Sequence, residues 1–413
     1  SANLEDVLEA LIDYRGKTPR KTDKGIPLIT AKIVKNGTIN EVNEFISERD
    51  YDAWMVRGLP QIGDVVLTTE APLGEVAQIK SSKVALAQRI VTLRGKKNVL
   101  DNGYLKYFLM SHVGQSRLKE RESGTTVTGI KQSELRKIKI DFPNYQAQKM
   151  ISKILSSLDD KIELNNAINK NLEEMAQALF KRWFVDFEFP NENGEPYKSS
   201  GGEFEQSELG LIPKRWRVGK TTEIFNIQSG GTPKTGISEY WNGSIPFFTP
   251  KDCSNSYYVL ETEKTITELG LNNCNSKLYK KDTVFITARG TVGKIAMAGK
   301  DMAMNQSCYA LVAKNGFTPK FVFFQAKQLV SALKKNASGA VFDAITVSTF
   351  QNLNTVIPNV EIVKKFDDLV SSIFSLMLNK TNENKVLERV RDALLPKLMS
   401  GEIRVPVEQE HNI

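Results

Sequence analysis

Apolar and polar residues follow two different rhythms along the chain, and the two rhythms occur in turn. Short apolar runs rich in Val, Ile and Thr, each bounded by Gly, Pro or Asp, predict strands near the start of the chain and again past its middle. These runs are DVVLTT, RIVTLR, KIKIDFP, DTVFIT, SCYALVA and NTVIP. Helical patterns lie between them at YLKYFLMSHVG and FVFFQAKQLVSAL. We therefore predict two α+β modules that are rich in strands.

A long amphipathic helix is predicted after each module. Apolar positions there recur in steps that alternate between four and three, which is the spacing of a coiled-coil seam. Every seam position of the second helix lies 215 residues after one of the first. The two seams are Ile151, Leu155, Leu158, Ile162, Asn165, Asn169, Leu172, Ala176, Leu179 and Trp183, and Phe366, Val370, Ile373, Met377, Lys380, Asn384, Leu387, Arg391, Leu394 and Leu398.

Both seams become polar at the same place. Asn165 and Asn169 interrupt the first, and Lys380 and Asn384 interrupt the second. Two helices of equal length that pack antiparallel bring their middles together, and a polar residue in a coiled-coil core can fix the register of the pair. We predict one antiparallel coiled coil with the polar layers near its centre. Two separate amphipathic helices remain the alternative.

The modules themselves are duplicated in sequence. GIPLIT corresponds to SIPFFT, GDVVLTTEAPLGEVA to KDTVFITARGTVGKIA, LAQR to MNQS, and SGTTVTGI to SGAVFDAI. The offset stays near 215 residues and drifts only where loops differ in length. One repeat that spans half the chain indicates domain duplication and not a solenoid. Loop contents differ between the copies, which predicts similar scaffolds with different specificities.

The predicted fold class is α+β, with two duplicated modules held apart by the antiparallel coiled coil and related by a pseudo-two-fold axis. A segment rich in Pro, Gly, Ser, Asn and Glu between the copies predicts an extended linker. The predicted boundaries are 1–143 for the first module, 144–188 for the first helix, 189–213 for the linker, 214–358 for the second module, 359–400 for the second helix and 401–413 for a C-terminal tail. A helix of about 42 residues is roughly 60 Å long and would act as a spacer.

The stretch RGKTP, residues 15–19, resembles the end of a phosphate-binding loop. That loop requires a glycine five positions before Gly16, where Leu11 stands, and a helix directly after the Thr, which Pro19 disfavours. The second copy, GGTPKT, has Gly231 in place of Lys17. We interpret both stretches as equivalent Gly-x-Thr-Pro turns whose basic neighbours can contact the phosphates of DNA.

Composition narrows the range of functions. The net charge is +8 and the pI is about 9.1, a balance that favours a polyanionic partner. Three cysteines and two histidines leave little material for a disulfide framework or a metal site and fit a reducing cytoplasm. No apolar run is long enough for a membrane span. Motifs of nucleotide-binding, methyl-transferring or nuclease sites were not found, so we expect no catalytic residues, no metal and no cofactor.

Several segments carry a resemblance to a known family. They are ELGLIPKRW at 208–216, SGGTPKT at 229–235, IPFFTPKD at 245–252, LLPKLMSGEIRV at 394–405 and ALFKRWFVDF at 178–187. Together they resemble the specificity subunits of type I restriction–modification systems, over essentially the whole chain. One departure is that no Gly-Leu-Ile-Pro segment precedes the first module, so its N-terminal boundary stays open.

The resemblance implies that the modules are target-recognition domains, each of which reads one half of a bipartite, asymmetric sequence in double-stranded DNA. It also implies that the helices set the gap and dock two adenine-N6 methyltransferase subunits, to which restriction subunits are added. The subunit itself would catalyse nothing. Two alternatives are a single-chain DNA methyltransferase or nuclease with duplicated recognition domains, and a coiled-coil scaffold that does not bind DNA.

Polar residues on duplicated turns are the predicted DNA contacts, because Lys and Arg bind phosphates while Asn, Gln, Ser, Thr and Arg read base edges. For any one of them, a solvated or turn-capping role is the alternative. In the first module they are Lys17, Thr18, Arg20, Lys21, Lys32, Thr69, Glu70, Gln88, Arg89, Thr125 and Lys131. In the second they are Thr232, Lys234, Thr235, Tyr240, Lys251, Thr287, Arg289, Asn305, Gln306, Ser307 and Thr346.

Aromatic residues crowd the end of the first long helix. Arg182, Trp183, Phe184 and Phe187 are predicted to bind a partner subunit, since aromatics are enriched at protein interfaces. The alternative is that they form local core at the junction with a module. The sequence leaves open whether the isolated chain is a monomer or pairs through these surfaces as a homodimer.

Overall fold

The computed structural model describes residues 1–124, 128–253, 256–336 and 345–406. The chain divides into two units, of which unit 1 comprises residues 1–162 and 386–413 and unit 2 comprises residues 163–385. None of the helices in the described part of the chain combines the length and the apolar character that a membrane span requires.

Unit 1 contains twelve described strands in four small sheets. The main sheet is antiparallel with the order β2-β11-β8-β9, and a second has the order β10-β4-β7-β3. The strands are β1 (Ala2–Asn3), β2 (Leu8–Asp13), β3 (Lys21–Thr22), β4 (Ile26–Ile29), β5 (Val34–Lys35), β6 (Thr38–Ile39), β7 (Phe45–Ile46), β8 (Val65–Thr69), β9 (Leu73–Gln78), β10 (Ala85–Leu86), β11 (Ile90–Gly95) and β12 (Lys139–Ile140). The short helices are α1 (Leu4–Val7), α2 (Glu48–Trp54), α3 (Asn102–Met110), α4 (His112–Lys119) and α5 (Gln132–Arg136).

Two long helices contribute residues to both units. They are α6 (Tyr145–Phe184) and α10 (Val360–Ser400), of 40 and 41 residues. The corresponding predicted ranges were 144–188 and 359–400.

Unit 2 repeats the pattern of a main sheet and smaller sheets. Its main sheet has the order β16-β23-β20-β21-β18, and a second has the order β19-β17-β22. The strands are β13 (Phe204–Ser207), β14 (Gly210–Pro213), β15 (Arg217–Lys220), β16 (Phe225–Ser229), β17 (Trp241–Phe248), β18 (Tyr258–Val259), β19 (Lys264–Ile266), β20 (Val284–Thr287), β21 (Ile295–Ala298), β22 (Ala303–Met304), β23 (Cys308–Ala313) and β24 (Asn354–Ile357). The helices are α7 (Glu268–Asn272), α8 (Pro319–Asn336) and α9 (Val347–Gln351), with 3-10 turns at Thr221–Glu223, Ser238–Tyr240 and Pro250–Asp252.

The central strand of each main sheet is buried on both faces. In β8, Val65 and Leu67 pack into the core that faces α3, whereas Val66 packs into a separate core on the other face. In β20, Val284 and Ile286 face one core and Phe285 the other. Burial on both faces explains why DVVLTT and DTVFIT are continuous apolar runs without alternation.

The two long helices pair antiparallel within each unit. In unit 1, Ile151 and Leu155 of α6 share a core with Leu398 of α10. In unit 2, Trp183 of α6 lies 6.0 Å from Phe366 of α10, measured between ring centroids. The antiparallel pairing predicted from the duplicated seams is therefore confirmed in each unit.

The predicted polar layers meet in unit 2. The side-chain Nδ2 of Asn165 donates to Oδ1 of Asn384 at 2.8 Å, and Nδ2 of Asn169 donates to the hydroxyl of Thr381 at 3.3 Å. Lys380, which the seam placed in this layer, instead binds Glu383 of its own helix at 2.8 Å. Thr381, the next residue along α10, faces α6 in place of Lys380. A straight α-helix drifts by about 20° per heptad from the 3.5-residue repeat of a seam, so a neighbouring residue can come to face the partner helix.

Three local predictions differ from the structure. The predicted linker is not simply extended, because β13 and β14 form a hairpin and Phe189 stacks on Trp216 at 4.8 Å between ring centroids. Only Lys139–Ile140 of KIKIDFP forms a strand. The predicted helix YLKYFLMSHVG breaks at Ser111, whose extended backbone and hydroxyl cap the start of α4 by accepting from the Gly114 N–H at 3.2 Å.

Candidate nucleic-acid interface

The turn RGKTP of unit 1 follows β2 and leads to the strand β3, not to a helix. Gly16 has a φ of +87°, which favours glycine, although a Cβ there would meet no neighbour within 4 Å. Arg15 holds the turn in place, because it forms an ion pair with Asp13 at 2.7 Å and donates from Nη1 to the Ile130 carbonyl at 2.7 Å. Pro19 is buried, whereas Lys17 and Thr18 are exposed at the tip.

Three chain segments meet around this turn. The hydroxyl of Thr18 donates to the side-chain oxygen of Gln88 at 3.3 Å. The next residue, Arg89, pairs with Glu70 at 3.0 Å, and Glu70 forms an isolated β-bridge with Gly129. The predicted residues Thr18, Gln88, Arg89 and Glu70 therefore form one continuous surface, which we call patch 1.

Unit 2 builds an equivalent surface, patch 2, from the corresponding segments. The hydroxyl of Thr232 donates to the side-chain oxygen of Gln306, as Thr18 does to Gln88. Asn305 accepts at Oδ1 from the Ser307 N–H at 3.0 Å and shapes the loop that carries Gln306. Gly230 is required sterically, since a Cβ there would lie 2.1 Å from the Asn305 carbonyl oxygen. Both units therefore contain the same hydrogen bond between the turn threonine and the glutamine, in addition to the similar sequence.

The backbone beneath the two patches is also the same. The Thr69 N–H donates to the Arg89 carbonyl at 3.0 Å, and the Ala288 N–H donates to the Ser307 carbonyl at 2.8 Å. The loop that follows closes on the same strand end, with the Ile130 N–H donating to the Thr69 carbonyl at 2.9 Å and the Ile345 N–H to the Ala288 carbonyl at 3.1 Å. The patches therefore have a common frame and differ in the side chains that they display.

The displayed side chains are predominantly basic or neutral. Arg89 is exposed in patch 1 and Lys17 is exposed next to it, and the corresponding residues of unit 2 are Ser307 and Gly231. Lys234 and Arg289 are exposed near patch 2. A surface with exposed cations and amides can bind phosphates and base edges together.

Two predicted contacts have no side chain at the surface. Thr69 is 1% exposed and Thr287 is not exposed at all. The Thr287 hydroxyl donates to the Thr291 carbonyl and accepts from the Lys294 N–H at 3.0 Å, so it stabilises the turn after β20. Both threonines end a strand that is buried on both faces, and we assign them structural roles.

The remaining candidates lie in several places. Lys21 pairs with Glu44 at 2.7 Å and Lys251 with Glu263 at 3.8 Å, and Tyr240 is half-buried in a 3-10 turn. Thr346 caps α9 by accepting from the Thr349 N–H at 3.2 Å. Thr125 lies outside the described residues. The exposed candidates not yet placed are Arg20, Lys32, Lys131 and Thr235.

The aromatic residues at the end of α6 are core and not an exposed interface. Trp183 is 5% and Phe184 7% exposed, and the Phe184 ring packs edge-on against Phe321 at 4.9 Å between centroids. Phe187 is half-buried against Trp216 at 5.7 Å. Only Arg182 of the predicted partner-binding set is exposed. These rings therefore form the local core that was the alternative to partner binding. Their burial against α8 and α10 is favoured because it removes apolar surface from water.

Two cysteine thiols of unit 2 are buried. Burial raises the pKa of the Cys253 thiol to about 11, so this thiol stays protonated near neutral pH. Burial also raises the pKa of Cys308. The described residues contain no group of three or more His, Cys, Asp and Glu side chains placed to hold a metal ion.

Sequence reasoning missed two features that the structure assembles. Arg15 was not among the candidates, although it anchors the turn of patch 1 through Asp13 and Ile130. Asp159 of α6 binds Lys106 of α3 at 2.7 Å and Arg391 of α10 at 2.9 Å inside unit 1. The heptad pattern placed Arg391 on the seam, but it did not predict that Arg391 would bind Asp159, which is not a seam position.

Comparison with known proteins agrees with this architecture. Residues 1–174 and 213–389 match the family model described as the type I restriction modification DNA specificity domain. The type I restriction enzyme MjaIX specificity subunit of Methanocaldococcus jannaschii is 29% identical over 394 residues, which cover 92% of this chain and 87% of that protein. The HindI specificity subunit of Haemophilus influenzae is 28% identical over 357 residues, with coverage of 74% and 76%.

A solved structure shares the fold. The crystal structure of the type I restriction–modification system S subunit from M. genitalium superposes with a TM-score of 0.56 at 16% identity and covers 96% of this chain and 95% of that chain. The family model matches both halves of the duplicated chain. The chain therefore belongs to the type I restriction–modification DNA specificity family, as a specificity subunit.

Proposed function

We propose that patch 1 and patch 2 each read one half of a bipartite, asymmetric DNA sequence, with residues 1–143 and 214–358 as the two target-recognition domains. The observation that supports this most directly is the duplicated hydrogen bond from a turn threonine to a glutamine amide. Such a contact orients the amide while its NH₂ group remains available as a donor. Glutamine amides can recognise adenine in the major groove through two hydrogen bonds.

The differences between the patches account for an asymmetric target. Patch 1 places Lys17 and Arg89 beside the threonine and glutamine, whereas patch 2 has Gly231 and Ser307 at the same positions. Arg89 can donate to guanine or to phosphate, but Ser307 is short and uncharged. One frame with different side chains would therefore select different bases.

The long helices would set the gap between the half-sites and dock the other subunits of the complex. Leu369 and Leu376 of α10 are 52% and 41% exposed and lie seven residues apart on unit 2. Met175 of α6 is 59% exposed. Exposed apolar side chains at heptad spacing fit a helical partner, and we assign them to docking of two adenine-N6 methyltransferase subunits, which restriction subunits then join. This replaces the docking site predicted at Trp183 and Phe184. We also place the chain in the cytoplasm, where its DNA would lie.

In this complex the subunit selects DNA and leaves the chemistry to its partners. The rival function, a single-chain methyltransferase or nuclease, is not favoured, because the relatives are named as specificity subunits. Methyl transfer by the purified chain alone would revive that rival.

The test is selection of random duplexes by the complex of the chain with its methyltransferase partner. We expect enrichment of a split motif with a fixed gap. Gln88→Ala should relax specificity in one half-site only and Gln306→Ala in the other, each by about 1–3 kcal/mol per base pair. These variants are matched controls for each other. No enrichment, or loss of both half-sites with either variant, would contradict the assignment.

A further inference from the structure

The duplication of the helices raises a question about pairing. The seam of α10 repeats that of α6 at a constant offset of 215 residues. The spacing of seam residues alone would therefore also allow α6 to pair with a second α6, and α10 with a second α10. The covalent link favours pairing of α6 with α10 of the same chain, and a difference between the buried layers of the two units would add to this preference. One buried layer differs in kind between the two units.

In unit 1 this layer is ionic. Asp159 of α6 accepts from Lys106 of α3 at 2.7 Å, from the Tyr107 hydroxyl at 2.7 Å and from Arg391 of α10 at 2.9 Å. The side chains of Lys106 and Asp159 are each 7% exposed and that of Arg391 is 14% exposed. One carboxylate thus joins two cations contributed by two different elements, and we call these four residues the ionic layer.

In unit 2 the equivalent layer is aromatic. The residues 215 positions after Asp159 and before Arg391 are Phe374 and Ala176. The residues of α8 that correspond to Lys106 and Tyr107 are Phe323 and Phe324, whose rings lie 6.2 and 5.9 Å from that of Phe374. All four are at most 2% exposed. We call them the aromatic layer.

Neighbouring contacts support this match between α3 and α8. Asp101 accepts from the Tyr104 N–H at the start of α3, and Thr318 accepts from the Phe321 N–H at the start of α8. A Cβ on Gly103 would lie 1.9 Å from the Ser152 hydroxyl, and the equivalent pair, Lys320 and Asp367, forms an ion pair at 3.1 Å. The two layers therefore occupy the same place in the repeated architecture.

Self-pairing would combine the layers wrongly. Two copies of α10 would place Arg391 of one copy against Phe374 of the other, so that the guanidinium would lose the buried Asp159 and keep only the exposed Asp392 of its own helix. Two copies of α6 would place Ala176 where Arg391 completes the ionic layer. Removing the buried partner of a buried charge is strongly unfavourable, whereas a complete ion pair or a complete apolar cluster is tolerated.

We propose that the ionic layer and the aromatic layer together form a pairing code, by which each long helix accepts the other and rejects a second copy of itself. Polar or charged residues at one coiled-coil position are known to select partners in this way. The code favours a chain whose two different modules share one helix pair over assemblies with two identical modules. It goes beyond the proposed DNA reading, because it would hold whatever the patches bind.

The test removes the covalent link after folding. A protease site inserted between Asn193 and Gly194, an exposed turn in which a Cβ on Gly194 would meet nothing, allows the folded full chain to be cut into two half-chains. The cut protein is incubated in mild urea, returned to buffer and analysed by native mass spectrometry, which separates mixed from identical pairs by mass. Mixing tagged and untagged preparations shows that exchange has occurred.

With the native layers we expect mixed pairs to dominate well beyond the binomial ratio of random re-association. Arg391→Ala removes the guanidinium that opposes α10 self-pairing and leaves Lys106 and Asp159 paired. It should raise pairs of the second half-chain about tenfold, which corresponds to about 1.4 kcal/mol of lost discrimination. The control removes a peripheral ion pair, Arg117 with Asp141, and should leave mixed pairs dominant.

A second variant changes the ionic layer without leaving a buried charge unpaired. Lys106→Phe, Tyr107→Phe, Asp159→Phe and Arg391→Ala together give unit 1 the aromatic layer, and both identical pairs should then increase. Random re-association of the native protein would overturn the proposal. So would mixed pairs that persist unchanged in both Arg391→Ala and the four-residue variant.

Discussion

At the scale of single residues, burial and charge decide what each polar group does. Thr18 and Thr69 have the same chemistry, but Thr18 is exposed in patch 1 and Thr69 is 1% exposed at the end of a covered strand. Asp159 and Asp160 are adjacent in α6, yet only Asp159 is buried, at 6% exposed. Composition does not distinguish these pairs, and their environments do.

Asp159→Asn should destabilise the protein by about 3–5 kcal/mol, because it removes the buried carboxylate that Lys106 and Arg391 share and leaves Arg391 with only the exposed Asp392. Urea unfolding at pH 7 measures this loss. Asp160→Asn is the matched control and should stay within about 0.5 kcal/mol. Equal effects of the two substitutions would contradict the role given to the ionic layer.

The same carboxylate gives a dependence on pH. Burial alone would raise the pKa of Asp159, but Lys106 and the hydrogen bonds from Lys106, Tyr107 and Arg391 lower it below the ordinary value of 3.8. The stabilisation is therefore present above pH 3.8 and is lost as the pH falls through the lower folded-state pKa. The Asn variant should lack this step.

Glu173 of α6 should have the opposite dependence on pH. Burial raises its pKa from 4.5 to about 7, against the charge of Lys327 and the N–H of Tyr257. A raised pKa means that stability is greatest below pH 4.5 and falls as the pH rises through about 7. Thermal unfolding at pH 5 and pH 8 should show a smaller difference for Glu173→Gln than for the parent chain. Glu174→Gln, at an exposed neighbour whose charge is the smallest of the contributions to the raised pKa of Glu173, should change the difference much less.

At the scale of elements, the long helices combine a predictable seam with contacts that the seam does not reveal. Polar layers at Asn165 and Asn384 were visible because both helices are interrupted at matching heptad positions. Asn165 is 0% exposed and Asn384 is 7% exposed, and the hydrogen bond between them is consistent with that pattern. By contrast, α3 binds α6 through the polar groups of Lys106 and Tyr107, whereas α8 packs on α10 through the rings of Phe323 and Phe324. Only the packed structure shows this difference.

Asn384→Leu should cost about 1–3 kcal/mol, because it leaves the buried Asn165 without its partner. The double variant Asn165→Leu and Asn384→Leu should recover most of that loss, since both polar groups are then gone. Urea midpoints of the single and double variants test this. Asn379→Leu, at an exposed position of α10, is the control and should have little effect. A double variant no more stable than Asn384→Leu would show that the layer does not act as a pair.

At the scale of the whole molecule, the proposed function makes the length of the helices a determinant of the DNA target. Deletion of one heptad from both α6 and α10 would shorten each by about 10 Å, or roughly three base pairs of duplex. Selection from random duplexes should then give the same half-sites with a gap shorter by about three base pairs. Deletion from one helix only misaligns the seams and should impair folding instead. An unchanged gap after the double deletion would exclude the helices as the spacer.

Sequence by itself determined the features that depend on period and repetition. The duplicated modules, the two strand-rich stretches, the antiparallel seams and the equivalent Gly-x-Thr-Pro turns all follow from local patterns, since the side-chain period of a helix or strand is independent of distant residues. Family segments such as ELGLIPKRW and LLPKLMSGEIRV added the class of protein.

Tertiary structure decided what depends on residues far apart in the chain. Trp183 and Phe184 had the composition of an interface, but packing against Phe321 and Phe366 makes them core. Asp159 and Arg391 are 232 residues apart and meet only because the helices pair antiparallel. The same holds for Thr18 with Gln88 and Thr232 with Gln306, which the sheets bring together at the ends of their strands. No local pattern encodes such contacts, because they arise from the packing of whole elements against one another.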